Sequence, residues 1–310
     1  MNARPPVPER TDTLCPVCGA SASEPALSKD GYTIVRCSLC QMLYVRPVLS
    51  ADELQAYYQD PGYFHGESTQ GYQSYEDLRK ALVPHSWRRL RVINGLLPAK
   101  GRLLDFGCAA GYFLEVAQAD GWRIAGVELS REMAGNASRA LGVSIATSLE
   151  ALPDRELDVI TLWEVVEHLP QPLAELRRMY DRLRPGGLLM LSTPNTGHWQ
   201  ALCQPDAWEG YRPPAHLLFF TAGTLVALLQ RAGFERITVS RVSPLPRLPC
   251  WLQRISAPLQ AGLASGRASA WPLALVAWRA VRVCGWGWQR ITHPRDDVFA
   301  ALEATAFRPA

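Results

Sequence analysis

The amino-acid sequence predicts a doubly wound α/β domain on a largely parallel sheet, preceded by a small metal-bound ribbon, and three observations carry that reading. An apolar run ending at Asp105 passes through a small-residue turn, Gly107-Cys108-Ala109-Ala110-Gly111, into an amphipathic helix. Apolar runs and helical patterns then alternate along the chain, as they do when strands lie parallel with helices between them. Ahead of all this stand two Cys-x-x-Cys pairs separated by 18 residues.

The cysteine pairs come first in chain order. Cys15-Pro16-Val17-Cys18-Gly19 and Cys37-Ser38-Leu39-Cys40 are knuckles, each tight enough to aim two thiolates at one ion. Together they complete a closed tetrahedral Zn²⁺ site, and full coordination leaves no position for substrate, so the zinc is read as structural. Residues 32–36 alternate as a ribbon strand would; so small a ribbon has little apolar core and draws its folding energy from the metal. Beyond it, Tyr57, Tyr58, Tyr63, Phe64, His65 and Tyr72 are separated by Gly62, Gly66 and Gly71, too irregular for a strand and too broken for a long helix. A helix over residues 76–97 follows, with Leu90, Ile93 and Leu97 at helical spacing.

The first strand of the main sheet ends at Asp105. Gly107 permits the sharp turn out of it, and Gly111 is expected to let the next helix pack close to the sheet. The two glycines stand four apart with Ala109 midway, which departs from Gly-x-Gly-x-x-Gly and makes a dinucleotide pyrophosphate the poorer ligand. The next apolar run, residues 124–127, ends in Glu128, 23 positions after Asp105, where a carboxylate can accept both hydrogen bonds of a ribose diol. Residues 157–162 read as a buried strand, followed by Trp163-Glu164-Val165-Val166-Glu167-His168-Leu169. Pro172 opens a helix to residue 183, with Leu173, Leu176, Met179 and Tyr180 on one face. Arg184-Pro185-Gly186-Gly187 reads as its stop signal, and the strand over 188–192 ends in Thr193-Pro194-Asn195. Thr221 is the expected N-cap of a helix to residue 232. Strands are expected over 235–240 and 296–305.

These motifs, in this order, resemble the class I S-adenosylmethionine (SAM)-dependent methyltransferases. Asp105, Gly107, Ala109 and Gly111 are similar to their Asp-x-Gly-x-Gly-x-Gly motif, with alanine at the middle glycine. Glu167-His168-Leu169, the Arg-Pro-Gly-Gly stretch, Ser192-Thr193-Pro194-Asn195 and His216-Leu217-Leu218-Phe219-Phe220-Thr221 resemble the small-molecule branch of that family. The resemblance implies a Rossmann-like, doubly wound, seven-stranded sheet whose last strand is antiparallel. It further implies that Asp105 and the turn with Cys108 and Ala109 hold the methionine portion of SAM, that Glu128 holds the ribose, and that Leu129, Ser148 and Leu149 border the adenine. Trp163 and Glu164 would then stand beside the methionine end and the acceptor. His168 and His216 are the two candidates for a general base. The division expected is 1–46 zinc ribbon, 47–84 aromatic linker over the cofactor pocket or on the sheet edge, 85–240 SAM-binding core, 241–295 helical insertion, and 296–310 final strand and tail.

Composition narrows the function. The 310 residues are 48% hydrophobic with a formal charge of +3, enough for a full α/β core and too little charge to imply nucleic acid. No secretory leader and no long apolar span is read, and cysteines spaced for metal suit a reducing compartment, so the expected location is cytoplasmic. Residues 241–295 hold eight arginines, five tryptophans and no acidic residue. Three readings stay open for them: contact through 245–292 with the inner membrane face, a helical cap with a solvated arginine face, or an RNA groove. The expected activity is methyl transfer from SAM to a small molecule, a sugar, glycan or lipid-linked metabolite. An RNA methyltransferase and a catalytically silent SAM-binding protein are the alternatives.

Overall fold

The computed structural model describes residues 14–47, 75–152, 156–242 and 297–310, with isolated positions at 53 and between 280 and 292. The aromatic segment expected to cover the pocket and most of the arginine- and tryptophan-rich insertion lie outside these residues. Among the described residues, no helix is long and apolar enough to cross a membrane.

Strands β1 (Ser23–Lys29), β2 (Tyr32–Cys37) and β3 (Leu43–Arg46) form the antiparallel ribbon. Helix α1 (Tyr75–Leu96) follows, so the expected boundary at 84/85 falls inside one continuous helix. The main domain then runs β4 (Arg102–Phe106), α2 (Tyr112–Ala119), β5 (Arg123–Val127), α3 (Arg131–Leu141), β6 (Ile145–Ala146), β7 (Leu157–Trp163), α4 (Pro172–Arg182) and β8 (Leu183–Pro194). After it come α5 (Trp199–Cys203), β9 (Leu218–Phe219), α6 (Ala222–Arg231), β10 (Glu235–Val242) and β11 (Ala301–Phe307).

Seven strands lie in the order β10-β11-β8-β7-β4-β5-β6, with β11 antiparallel to both neighbours and the remaining pairs parallel. The expected Rossmann-like sheet with an antiparallel last strand is therefore present. One face is packed by Leu90, Ile93, Phe113, Leu114, Ala137 and Leu141 of α1 to α3. The other is packed by Leu176, Met179, Leu225, Leu228 and Leu229 of α4 and α6.

Three expectations are corrected. Arg184-Pro185-Gly186-Gly187 does follow the end of helix α4 at Arg182, but the strand begins at Leu183 and not at residue 188, and the stretch forms a bulge within β8. The register jumps from Leu157 opposite Leu183 to Val159 opposite Leu188, and Gly186 takes the left-handed φ of 73° that the bulge requires. The last strand starts at Ala301, because Asp297 is engaged elsewhere: its Oδ2 accepts from Asn195 Nδ2 at 2.9 Å, and its Oδ1 caps the Phe299 N–H at 3.0 Å. The ribbon, finally, has apolar packing beyond its own few residues. Its β3 pairs with β9 of the main domain, and Val17, Val35, Met42 and Tyr44 are buried in the same apolar cluster as the α4 and α6 face. Burial against the main domain thus supplies apolar packing that so small a ribbon lacks by itself.

Candidate active site

The chain leaves β4 for β5 and β6, then returns to place β7 on the other side of β4. That reversal opens a crevice at the carboxyl ends of β4 and β7. Asp105, 2% exposed, sits at its floor and accepts a 2.7 Å hydrogen bond from Thr161 Oγ1 across the two strands. Burial pushes its pKa up to about 7, against the opposite pull of the Thr161 hydroxyl and of Arg89.

The turn above it has the shape that its glycines allow. Gly107 has φ 77°, and a Cβ there would lie 2.5 Å from Val165 Cγ2. Gly111 has φ 79°, and a Cβ there would come within 2.8 Å of Leu141 Cδ1 and 3.2 Å of Ala137 Cβ. It is thus helix α3, and not the sheet, that Gly111 allows to approach. Ala109 takes φ 46° and directs its N–H to Glu128 Oε2 at 2.8 Å, while the Ser130 N–H reaches Glu128 Oε1 at 2.8 Å. The backbone of Leu129 also acts on this carboxylate, and with four lone pairs on its two oxygens the buried Glu128 keeps capacity for a further donor, such as a ribose hydroxyl. The Cys108 sulfur packs on Gly126, so that residue offers a ligand only its backbone. Leu129 stands 42% exposed beside Glu128, Leu149 is buried, and Ser148 Oγ accepts the Ala151 N–H in its own loop at 3.3 Å.

The opposite wall follows β7. The Trp163 ring meets the edge of Phe113, carries the Arg89 guanidinium 4.1 Å from its centroid, and leaves its buried Nε1 without a partner. One face expected to be open to a sulfonium is therefore already beside a cation. Glu164 has φ 56°, and its carboxylate accepts from Ser192 Oγ at 2.7 Å; Arg89 Nη2 donates to that same hydroxyl at 3.1 Å. Arg89 Nε also meets Glu303 Oε1 at 3.0 Å, and Arg88 pairs with both oxygens of Glu303. Sequence reading missed this Arg89-Ser192-Glu303 network. Its signal was present in α1, where Arg89 stands four residues before Ile93 on the apolar stripe.

Beyond Glu164 a single 3₁₀ turn (Val166–His168) brings three groups together. Glu167 is 1% exposed, and neither of its oxygens has a hydrogen-bond partner. Burial raises its carboxyl well above the usual range, and Glu164 adds to that. Thr193 pulls the other way, yet its hydroxyl reaches no bonding geometry either. The His168 and His216 rings meet edge to face with centroids 4.8 Å apart. Because carbonyls only accept, the ring Nδ1–H groups must donate to Ala215 O at 2.7 Å and Gly210 O at 2.8 Å. Burial lowers His168 to about 4 and His216 well below its ordinary value, so both rings stay neutral and weakly basic.

Away from the crevice, the four knuckle thiols lie within 4.8 Å of one another. Cys15 meets Cys40, and Cys18 meets Cys37, each at a sulfur separation of 3.5 Å. A tetrahedral ion with bonds of about 2.3 Å to sulfur sets such edges at about 3.8 Å, so the cluster fits a metal such as Zn²⁺.

A family profile described as a methyltransferase domain matches residues 76–239. The chain belongs to that methyltransferase-domain family. It is a class I SAM-dependent methyltransferase. Among similar proteins is "Ubiquinone biosynthesis O-methyltransferase" of Xanthomonas axonopodis pv. citri (strain 306), 30% identical over 211 residues, or 57% of this chain and 86% of that one. The protein of the same name from Burkholderia ambifaria (strain MC40-6) is 36% identical over 103 residues, which span only 44% of its length. Two solved structures share the fold. A SAM-dependent methyltransferase from Archaeoglobus fulgidus has TM-score 0.51 and 19% identity, covering 80% of this chain and 100% of that one. Haemonchus contortus phosphoethanolamine N-methyltransferase 2, in complex with phosphomonomethylethanolamine and S-adenosylhomocysteine, has TM-score 0.51 and 18% identity, covering 85% and 61%.

Proposed function

We propose that this methyltransferase acts on a hydroxyl oxygen of a small molecule, with sugars, glycans and lipid-linked metabolites as the acceptor classes, and that its four N-terminal cysteines hold a structural Zn²⁺. The observation that carries the cofactor assignment is Glu128: buried, fixed by two backbone N–H groups, and still able to accept from a ribose diol. Asp105 and the backbone of residues 107–111 would hold the methionine end, with Leu129, Ser148 and Leu149 around the adenine. When bound, SAM would supply a methyl carbon already activated by its sulfonium, and transfer to an acceptor oxygen would form the C–O bond as the C–S bond breaks, leaving S-adenosylhomocysteine and a proton that passes out to bulk solvent. The protein's own task is to position and to exclude water, which Trp163 and Glu164 do as the wall between cofactor and acceptor. The similarity to relatives named as O-methyltransferases supports oxygen as the acceptor atom.

Calorimetric titration of the zinc-loaded protein with SAM and with S-adenosylhomocysteine, alongside Glu128→Ala, tests this reading. Binding should weaken by about ten-fold or more in the variant, roughly 1.4 kcal/mol. Well-folded protein that binds neither ligand would remove the enzymatic reading.

A further inference from the structure

We propose that the face made by the helical positions between 280 and 291 lies on the surface of a bilayer rich in anionic phospholipid, with its apolar stripe in the acyl boundary. Ala280, Val283, Cys284, Gly287, Trp288 and Ile291 are helical and recur at spacings of three and four. At about 100° per residue these six fall within an arc of about 140° on one side of the helix. Val283, Trp288 and Ile291 are 65%, 56% and 75% exposed, and Ala280 and Cys284 are exposed with them. A contiguous apolar stripe held in water marks a contact surface.

Charge identifies the occupant. Residues 241–295 hold eight arginines and no aspartate or glutamate; one of the eight, Arg241, pairs with Asp297 at 3.1 Å. Such a segment is drawn to an anionic surface, and arginine with tryptophan beside aliphatic residues matches the layers of a bilayer boundary, phosphate outside and acyl chain inside. An RNA groove would use the arginines and the Trp288 ring, but Val283 and Ile291 offer phosphates and bases nothing. Arg279, Arg282 and Arg290 divide this stretch of sequence, so the contact is with the surface and not a span.

The place of the segment in the fold gives this contact a use. Strand β10 ends at Val242 opposite Ala301, and Ala301 lies opposite Pro194, the last residue of β8. Because β8 is parallel to β7, both roots of the insertion stand at the same end of the sheet as the crevice. The returning root is fixed there: the Trp199 N–H bonds Asp297 O at 2.8 Å, and the Asn195 N–H bonds Ala300 O at 2.9 Å. Asp297 follows Ile291 by six positions, and six extended residues span at most about 20 Å. The Ile291 end of the stripe is therefore held near the crevice end of the sheet. On the methyltransferase reading above, an acceptor carried on a lipid would meet the enzyme there.

The experiment uses full-length, zinc-loaded protein and vesicles of phosphatidylcholine, alone or mixed equally with phosphatidylglycerol, separated by sedimentation at low and at physiological salt. Calorimetry with SAM and thermal melts are run on the same preparations. Wild type should bind the anionic vesicles about ten-fold or more tightly than phosphatidylcholine alone, and salt should release it. Trp288→Ser combined with Ile291→Ser should weaken that binding by about ten-fold or more, with SAM affinity and melting midpoint unchanged. Arg279→Gln combined with Arg290→Gln should reduce the preference for the anionic lipid. Normal SAM binding without sedimentation at low salt would overturn the docking surface and leave the proposed function standing. Sedimentation undiminished in the Trp288 and Ile291 variant would overturn the assignment of the face, as would a lowered midpoint that marks those side chains as packed. Retention of a single-stranded RNA oligonucleotide in place of vesicles would overturn the choice of partner. Vesicle binding by wild type, lost in the variants, with no SAM binding would support the surface and sink the proposed function.

Discussion

Asp105 is a carboxyl group held in a place where its charge is poorly tolerated until a cationic cofactor arrives. Its pKa of about 7 in the folded chain compares with an ordinary 3.8. The folded state therefore keeps a proton that the unfolded chain releases, and the associated stability is complete below about pH 4 and lost as the pH rises through about 7. A gap of about three pH units corresponds to about 4 kcal/mol, an upper figure for so buried a group. Asp105→Asn removes the charge while keeping the shape. In urea denaturation without cofactor, the variant should be more stable than wild type at pH 8, and its advantage should shrink by about 2–3 kcal/mol by pH 5. SAM carries a sulfonium and an ammonium group, so its binding should draw the proton off Asp105; SAM affinity of wild type should rise between pH 6 and 8 and fall in the variant. A stability difference that does not change with pH, or a wild type more stable than Asp105→Asn at pH 8, would refute the reasoning.

Other outcomes follow from the geometry. Gly111→Ala combines a left-handed backbone with contacts to Leu141 and Ala137 and should cost about 2–4 kcal/mol, read as a lowered thermal midpoint. Ala109→Gly relieves a left-handed alanine and should leave stability within about 1 kcal/mol of wild type in the same melt. Purified protein should carry one zinc per chain at the cysteine cluster by elemental analysis, and Cys37→Ser should lose it and melt at lower temperature. His216→Ala should lower methyl transfer, measured with labelled SAM, by removing the ring packed against His168, while calorimetry shows cofactor affinity unchanged.

Much of the fold was legible because its signals are local. An apolar run closed by Asp105 and a small-residue turn needs no tertiary information to be read as strand and turn, and Thr221 does cap its helix, with Thr224 completing a capping box. What failed to show was set by partners distant in sequence. The Arg-Pro-Gly-Gly stretch does mark the end of α4, yet pairing with β7 on one side and a Gly186 N–H bond to Arg308 O at 3.0 Å on the other carry the following strand through it. The start of β11 was misplaced because Asn195, some hundred residues earlier, claims Asp297. At the site, Asp105, Glu128 and the glycines were readable from spacing. Glu167 was passed over although it stands three residues after Glu164 and beside His168, because its significance lies in having no donor, a property of the folded surroundings.

The pairing of β3 with β9 has a mechanical meaning. Val45 N–H bonds to Leu217 O at 2.9 Å, so the backbone directly after His216 is a rung of the cysteine-bound ribbon. The ribbon thus serves as a splint for a residue of the crevice. Stripping the knuckle ion should blur where His216 sits well before the nucleotide-like cradle around Glu128 is disturbed, so that cofactor binding outlasts turnover. The same wiring argues against trimming the chain to its matched methyltransferase segment: such a fragment would lose the strand that keeps the 216–219 backbone in register.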